Sequence, residues 1–312
     1  MLASPLCTPA VLRLRSGCLC VALVAGVLAG CSSPPVADPD HVQEIEEWRE
    51  ARVKRLQSET GWLTLVGLHW LEPGENRFGT DKDNEVVLPE GTAPGLVGTF
   101  VLEDGRVRVR AESGVGLTLA EEPVTERPLA SDHDGPPDIL RVRDLHLYVI
   151  QRGERIGIRV KDSNSPVLRD FHGLDYFPVD TRYRMQLPFQ RYESAREISI
   201  PSVLGTSEPS LALGFVEFEL EGRQWTLVPV VSDADDRDLF FIFGDLTNGK
   251  ETYGAGRFVY GELGDDDTVS LDFNKSYNPP CVFTPFATCP LPPPENRLTL
   301  RILAGERTYG AH

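Results

Sequence analysis

The chain of 312 residues has 31 lysines and arginines, 47 aspartates and glutamates, and 41% apolar residues, enough to bury a core in one large domain or two ordinary ones. Its formal charge of −16 argues against binding to nucleic acid, whose affinity comes from neutralised phosphates, and gives no attraction to anionic lipid surfaces. The 25 prolines and 28 glycines beside 2 methionines predict many turns and short strands rather than long helices.

Residues 1–30 have the pattern of a secretory signal peptide, with two arginines, no acidic residue and then the apolar run Gly17–Gly30. This run is too short for a membrane-spanning helix, which needs roughly 20 residues. It ends in the sequence Leu28-Ala29-Gly30-Cys31, which resembles a bacterial lipobox. The Pro-rich residues 31–40 then predict an extended tether.

We therefore predict that Cys31 carries a lipid and anchors the protein to a membrane of the bacterial cell envelope, with the body of the protein outside the cytoplasm. In a host with two membranes, Ser32 directly after the cysteine favours the outer one. The alternative is an ordinary signal peptide in which the cysteine is incidental.

Residues 41–60 predict an amphipathic helix, because His41–Glu59 is charged and contains neither Gly nor Pro. Asp40 is the expected N-cap and Gly61 the expected stop. The apolar residues at helical spacing are Val42, Ile45, Val53 and Leu56. We expect this face to lie against the domain that follows.

Residues 61–138 predict a small β-sandwich, because short segments of alternating polarity recur between turn signals. The pair Asp104-Gly105 predicts a hairpin between two of these segments. The predicted strands begin at Trp62 and continue with Glu85–Leu88, Leu96–Leu102, Arg106–Ala111 and Gly116–Leu119.

Residues 139–312 predict a larger β-sandwich or barrel-like domain, so the whole chain is expected to be mainly β. The pair Glu221-Gly222 predicts a further hairpin. The predicted strands are Asp144–Gln151, Arg155–Lys161, Phe215–Leu220, Gln224–Val231, Leu239–Phe243, Gly256–Glu262, Val269–Phe273 and Arg297–Leu303.

The pattern of residues 79–110 resembles the forkhead-associated sandwich, through Gly79–Leu88, Gly98–Phe100 and Asp104–Val109. The resemblance implies the strand pattern only. Thr80 stands where that family has the arginine that holds the phosphate, and the family's Ser-Arg-His segment has no counterpart here.

Cys281 and Cys289 are the two cysteines left after removal of the signal and lipidation of Cys31. Two thiols this close together in an exported protein favour a disulfide. Free thiols remain an alternative, and so does a metal site, although no histidine or second cysteine pair is near enough to complete a zinc set. We predict no metal and no cofactor.

Three polar segments rich in Gly and Pro lie near the C-terminus, at residues 243–258, 271–281 and 289–298. Together with Arg159–Asp162 and Gly173–Asp180 they resemble a bacterial family known as domain of unknown function 1684. The stretch Asp-Phe-Asn…Tyr-Asn-Pro-Pro-Cys carries most of this resemblance. The resemblance implies export or lipid anchoring and implies no particular activity.

These segments also supply a candidate site; the alternative is a purely structural role, in which Asp and Asn cap turns and Arg–Asp pairs brace the loops. Asp272 and Asn274 are two residues apart in a predicted strand and should point to one face. A disulfide-pinned loop should bring Tyr277, Asn278 and Arg297 towards them, and Arg257 is the expected ion-pair partner of Asp272. Flanking polar or acidic residues add three further candidates, Asp245, Tyr253 and His172.

The sequence thus favours a lipid-anchored envelope protein that binds a small polar ligand or an envelope partner. The first alternative is a hydrolase with acid and base groups from Asp272, His172, Tyr277 and Asp245. The second is a structural envelope component. The nucleophile elbow Gly-x-Ser-x-Gly, the zinc motif His-Glu-x-x-His and the phosphate-binding loop are all missing from the sequence.

Overall fold

The N-terminal helix α1 spans Pro39–Leu56 in the computed structural model, which describes residues 36, 38–133 and 135–310. The helix begins after Asp38, whose side chain accepts a hydrogen bond from the Asp40 backbone N–H at 3.2 Å. The predicted helix is therefore confirmed, but its N-cap is Asp38 rather than Asp40, since Pro39 fits the first helical position. Its buried face carries His41, Ile45, Arg52 and Leu56.

This buried face differs from the apolar face that was expected from the sequence. Val42 and Val53 are only half-buried, whereas the polar side chains of His41 and Arg52 are buried. The second helix, α2, is the single turn Pro166–Arg169. Within the described residues, no helix is long and apolar enough to cross a membrane. The predicted lipobox at Cys31 lies outside the described residues. Turns of 3₁₀-helix occupy Trp62–Thr64, Thr181–Tyr183, Phe273–Lys275, Pro280–Val282 and Pro294–Asn296.

Two sheets form a β-sandwich in the first half of the described chain. Their strands are β1 Leu65–Trp70, β2 Gly74–Gly79, β3 Val86–Val87, β4 Gly98–Glu103, β5 Arg106–Ala111, β6 Thr118–Leu119, β7 Glu122–Pro123, β8 Glu126–Leu129, β9 Leu140–Val142, β10 Leu145–Arg152 and β11 Arg155–Asp162. One sheet has the strand order β1-β11-β10-β9-β6-β7 and the other has the order β3-β2-β4-β5-β8.

The sandwich core follows the alternation of the sequence. In β5, Val107 and Val109 are buried while the alternating Arg106, Arg108 and Arg110 are exposed. Phe78 and Phe100 stack in the centre of the core with ring centroids 4.2 Å apart. The first sheet joins β1 and β6 to β9–β11, so it contains residues from both sides of the boundary expected at residue 138.

A third sheet, strongly curved and entirely antiparallel, makes up the second half, with the order β14-β13-β12-β17-β16-β15. Its two longest strands, β12 and β13, were respectively missed and predicted too short from the sequence. The strands are β12 Arg184–Pro201, β13 Ser207–Leu220, β14 Arg223–Leu227, β15 Asp238–Phe243, β16 Arg257–Leu263 and β17 Thr268–Asp272.

Both hairpins predicted from dipeptide turns are confirmed. Asp104 and Gly105 have φ values of 49° and 74°, and Glu221 and Gly222 have 56° and 71°. Two consecutive residues in the left-handed region define the turn that matches the right-handed twist of paired strands. The mainly β fold class is likewise confirmed.

The predicted strand Arg297–Leu303 is wrong, because this segment forms no strand in the structure. Leu298, Leu300 and Ile302 nevertheless alternate into the core of the curved sheet. Side chains meet the backbone groups of Ile302: Asp245 Oδ2 accepts from its N–H at 2.6 Å, and Arg257 donates to its carbonyl at 2.9 Å. The segment therefore has the alternating buried side chains of a strand, but its backbone groups at Ile302 pair with buried side chains instead of with a neighbouring strand.

A separate apolar layer fills the space between the outer face of the first sheet and the curved sheet. It contains Leu65 of β1, Ile242 of β15, Phe258 of β16 and Cys289. The first sheet is therefore covered on both faces, which explains why β11 is buried along nearly its whole length.

Candidate functional site

Arg257, the expected partner of Asp272, instead pairs with Asp245. Its guanidinium nitrogen lies 3.2 Å from Asp245 Oδ2, and both side chains are completely buried. Arg257 also donates to the carbonyls of Ala304 at 2.5 Å and Ile302 at 2.9 Å. Burial lowers the pKa of Arg257, and the Asp245 carboxylate opposes that shift. This pair braces the C-terminal segment, so the predicted Arg257–Asp272 contact was wrong.

Asp272 faces helix α1 instead. Its Oδ2 accepts a hydrogen bond from His41 Nε2 at 2.6 Å, and its Oδ1 accepts from the backbone N–H of Asn274 at 2.9 Å. Asp272 and Asn274 do meet, but through a 3₁₀ turn that Asp272 caps rather than through strand alternation. Asn274 in turn holds the backbone of Asp180 through bonds of 2.9 and 3.0 Å.

Tyr277 and Asn278 belong to a second group of residues that contacts helix α1. Glu306, fully buried, accepts from Arg52 Nε at 2.9 Å and from the Asn278 backbone N–H at 2.7 Å. The Arg52 guanidinium lies 4.6 Å from the centre of the Tyr277 ring. Burial raises the pKa of Tyr277 well above its ordinary value, so this phenol stays neutral. Both contacts attach α1 to the C-terminal segment.

The remaining predicted residues lie apart from these clusters. Arg297 is exposed and lines a cavity of about 480 Å³ with Asp245. Tyr253 is half-buried in the adjoining turn, and burial raises its pKa. His172 is exposed beside a different cavity, formed with Tyr309. The predicted candidate residues are therefore divided among several places, and the acid and base groups of the hydrolase alternative do not meet. That alternative is not favoured.

The disulfide between Cys281 and Cys289 is confirmed. The loop that it closes lies against the first sheet, where Thr284 Oγ1 donates to the Leu65 carbonyl at 3.1 Å. Thr288 Oγ1 accepts from both Arg152 Nε and Arg159 at 3.2 Å. The bonded loop thus brings a hydroxyl group to the place where the sandwich meets the curved sheet.

A groove runs beside this loop. One cavity of about 540 Å³ is lined by Arg152 and Thr288 at one end, and another of about 520 Å³ is lined by Tyr260 at the other. The two cavities adjoin each other, since they share four lining residues: Ser210, Val230, Ser232 and Phe240. Their lining mixes apolar side chains with hydroxyl and carboxylate groups, as small-molecule sites do.

Paired strands create the aromatic end of the groove. Phe240 of β15 is directly opposite Tyr260 of β16, and their rings stack with centroids 4.9 Å apart. Tyr260 is 52% exposed, and burial of the rest of the side chain raises its pKa. The sequence carried a signal for this surface. Leu239–Phe243 is apolar at every position, which indicates that both faces of the strand are covered.

The charges at the two ends of the groove differ. Asp236 and Asp238 line the cavity that contains Tyr260. At the opposite end, Arg152 is held by Asp132 through bonds of 3.0 and 2.8 Å.

No group of three or more His, Cys, Asp or Glu side chains among the described residues has an arrangement that could hold a metal ion.

The described residues form a mainly β fold with a polar groove, and the acid and base groups predicted from the sequence lie apart in it. Residues 169–307 match the family described as "Protein of unknown function (DUF1684)", and through this region the chain belongs to that family. The resemblance predicted from the sequence is confirmed, although Arg159–Asp162 precedes the matched residues.

Two solved structures are similar to parts of the chain. An uncharacterized protein of Haloarcula marismortui is 34% identical, with 46% of this chain and 80% of that chain covered and a TM-score of 0.39. A structure from a study of phosphothreonine-dependent FHA domain interactions is 19% identical, with 31% and 96% covered and a TM-score of 0.22. No curated protein matches the chain. At these TM-scores neither structure defines a function for this protein.

Proposed function

We propose that this protein is a lipid-anchored envelope protein that binds a small polar ligand, a neutral sugar, in the groove at Tyr260. The observation that carries the proposal is the exposed ring of Tyr260, stacked on Phe240 at the wall of a cavity of about 520 Å³. A sugar ring has an apolar C–H face and a hydroxyl edge, so it requires an aromatic surface with polar groups beside it.

The aromatic surface is rigid. Besides its contact with Phe240, Tyr260 lies parallel to Tyr277, with ring planes 12° apart and centroids 6.5 Å apart. Phe258 packs edge-on against Phe240 and Tyr277, at 5.0 and 5.7 Å. A ring held in this way loses little conformational entropy when a ligand stacks on it.

Polar groups suited to hydroxyls surround the ring. Ser210, Ser232 and Asp238 line the same cavity. The Asp238 carboxylate makes no hydrogen bond or ion pair with any described residue, so its oxygens are available to accept from a ligand hydroxyl. The neighbouring Asp236 is partly committed, since its Oδ2 accepts from the backbone N–H groups of Ser232 and Asp233 at 2.9 Å.

Calorimetric titration with glucose, N-acetylglucosamine and their disaccharides tests the proposal. We expect saturable binding of at least one of these sugars to the wild type. Tyr260→Ala should weaken it by about tenfold, because an aromatic contact contributes about 0.5–1.5 kcal/mol beyond its buried area. Tyr260→Phe is the matched control and should bind as the wild type does. No saturable heat with any sugar, or equal affinity in Tyr260→Ala, would contradict the proposal.

The anchoring part of the proposal rests on the sequence Leu28–Cys31. We expect Cys31→Ser to abolish incorporation of labelled fatty acid and to remove the processed protein from the membrane fraction. Cys20→Ser is the matched control, because that cysteine lies in the segment expected to be removed. A Cys31→Ser protein that still fractionates as a processed lipoprotein would exclude the anchor.

A further inference from the structure

Strand β11 carries two cations on the face that looks away from the sandwich core. Ile158 and Val160 belong to that core, so alternation places Arg159 and Lys161 on the opposite face. Both are almost fully enclosed, with 3% and 6% of their surface exposed. Lysine and arginine are almost never buried to this extent unless they are paired.

The partners of these two cations are neutral. Arg159 donates to Tyr148 Oη at 3.5 Å and to Thr288 Oγ1 at 3.2 Å, while its Nε is buried without a partner. Lys161 Nζ donates to the carbonyl of Thr60. Neither cation forms an ion pair with a described residue, and several of their N–H donors remain unused.

Two aromatic rings flank the pair. The Arg159 guanidinium lies 5.2 Å from the centre of the Trp62 ring and 5.8 Å from that of Tyr148. The Lys161 ammonium lies 5.3 and 5.6 Å from the same two centres. The rings attract each cation, but they do not neutralise the charge.

Two other buried arginines have the acidic partner that Arg159 and Lys161 lack among the described residues. Arg257 has Asp245 and Arg52 has Glu306, each as an enclosed ion pair. Two like charges buried side by side without a counter-charge are costly. Consistent with this, burial and the neighbouring Arg159 charge lower the pKa of Lys161 to about 8.

We propose that Arg159 and Lys161 form a binding site for a small oxyanion, with a phosphate group as the ligand chemistry. The guanidinium supplies a fork of N–H donors, the ammonium a compact positive charge, and Thr288 a hydroxyl group, which together suit the oxygens of phosphate. The site depends on no property of the sugar proposal, because neither Arg159 nor Lys161 lines the cavity that contains Tyr260.

Thr288 provides the connection to solvent. Its hydroxyl oxygen accepts from Arg159 and from Arg152, and both Thr288 and Arg152 line the cavity of about 540 Å³. Arg152 and Thr288 are therefore accessible from this cavity, and the Arg159 guanidinium is hydrogen-bonded to the same Thr288 hydroxyl. The disulfide-closed loop thus forms one wall of the approach.

Equilibrium dialysis of the full processed protein against radiolabelled inorganic phosphate tests the site, at neutral pH and at an ionic strength held constant with sodium chloride. We expect saturable binding to the wild type. Lys161→Met should weaken it at least tenfold, while Arg155→Met should leave it unchanged. Arg155 is the matched control because it lies on the same strand and stacks on Trp70 at 4.0 Å, but is exposed.

A melting curve of each variant in phosphate-free buffer completes the experiment. Because Lys161→Met removes an uncompensated buried charge, we expect its melting temperature to equal or exceed that of the wild type. Phosphate should then raise the melting temperature of the wild type and of Arg155→Met, but not that of Lys161→Met. Absence of phosphate binding to the wild type, or unchanged binding to Lys161→Met, would overturn the site.

Discussion

Three ion pairs of the β-sandwich and three of the C-terminal region lie in opposite environments. In the sandwich, Arg77–Glu85, Arg108–Glu126 and Arg110–Glu75 are all formed by side chains about half exposed to water. In the C-terminal region the pairs Arg257–Asp245, Arg52–Glu306 and His41–Asp272 are enclosed. The two regions therefore depend on charge to very different degrees.

Backbone structure explains the difference. Strands of the sandwich satisfy one another's N–H and C=O groups, so arginines such as Arg77, Arg108 and Arg110 are not needed as backbone partners and can face the solvent. Residues 273–306 contain no strand, although Ile302, Ala304 and Gly305 are buried. Their backbone groups need partners from elsewhere, since unpaired buried groups are costly. Arginine, with five donors, meets several carbonyls at once, and an acidic partner then balances its charge.

The largest effect should come from Arg257→Met. This change leaves the Asp245 carboxylate and two carbonyls buried without their donor, and we expect a loss of about 3–5 kcal/mol in the free energy of unfolding. Urea denaturation followed by tryptophan fluorescence measures it. Arg110→Met, in an exposed pair of the sandwich, is the control and should change stability little. Equal effects in both variants would show that the environment of the pairs is unimportant.

A smaller effect should follow removal of the disulfide, which constrains the same irregular region. The double variant Cys281→Ala/Cys289→Ala should lose about 2–3 kcal/mol, the value expected on the chain-entropy model for so short a loop. Unfolding in urea again provides the measurement. The native protein, digested without reduction, should yield a cystine peptide two hydrogens lighter than its reduced form; ready alkylation of both thiols would instead indicate that they are free.

The smallest effect on stability should come from Lys161, a buried charge in the sandwich that has no acidic partner among the described residues. Its pKa is lowered from 10.5 to about 8 by burial, so the unfolded chain binds more protons than the folded one between these values. The free energy of unfolding should therefore rise with pH from about 8 to about 10, with up to one proton taken up on unfolding.

Lys161→Met should flatten this rise, and the difference in slope between variant and wild type is the quantity to measure. Burial raises the pKa of Tyr148 beside it, which affects stability in the opposite direction, but only near and above pH 10. Identical slopes in both proteins would mean that Lys161 keeps its ordinary pKa in the fold.

Much of the local structure could be predicted from the sequence. The helix near residues 39–56, the strand Arg106–Ala111 and the turns at Asp104 and Glu221 all follow from short-range patterns. The errors occurred where a partner far along the chain decided the outcome. His41 and Arg52 are buried in α1 because Asp272 and Glu306 lie opposite, more than two hundred residues away.

The candidate site shows the same limit. Asp272 and Asn274 were expected to lie close together, and their side chains do form a hydrogen bond. Two residues that are two positions apart in the sequence stay close in any local conformation. The partner of Arg257 was predicted wrongly, since several carboxylates nearby in sequence satisfy the same chemistry. The groove at Tyr260 and the cation pair on β11 were missed, because their lining comes from distant strands and from the disulfide loop.

The sequence alone determined the mainly β class and two hairpin turns, and it favoured the disulfide and the family resemblance, because periodicity, turn chemistry and motif residues act over short distances along the chain. Only the tertiary structure decided which charges are enclosed and which of them have a counter-charge. A strand pattern such as Arg159-Val160-Lys161 states that two cations share a face. Whether that face meets water, a carboxylate or only neutral groups depends on what the fold packs against it.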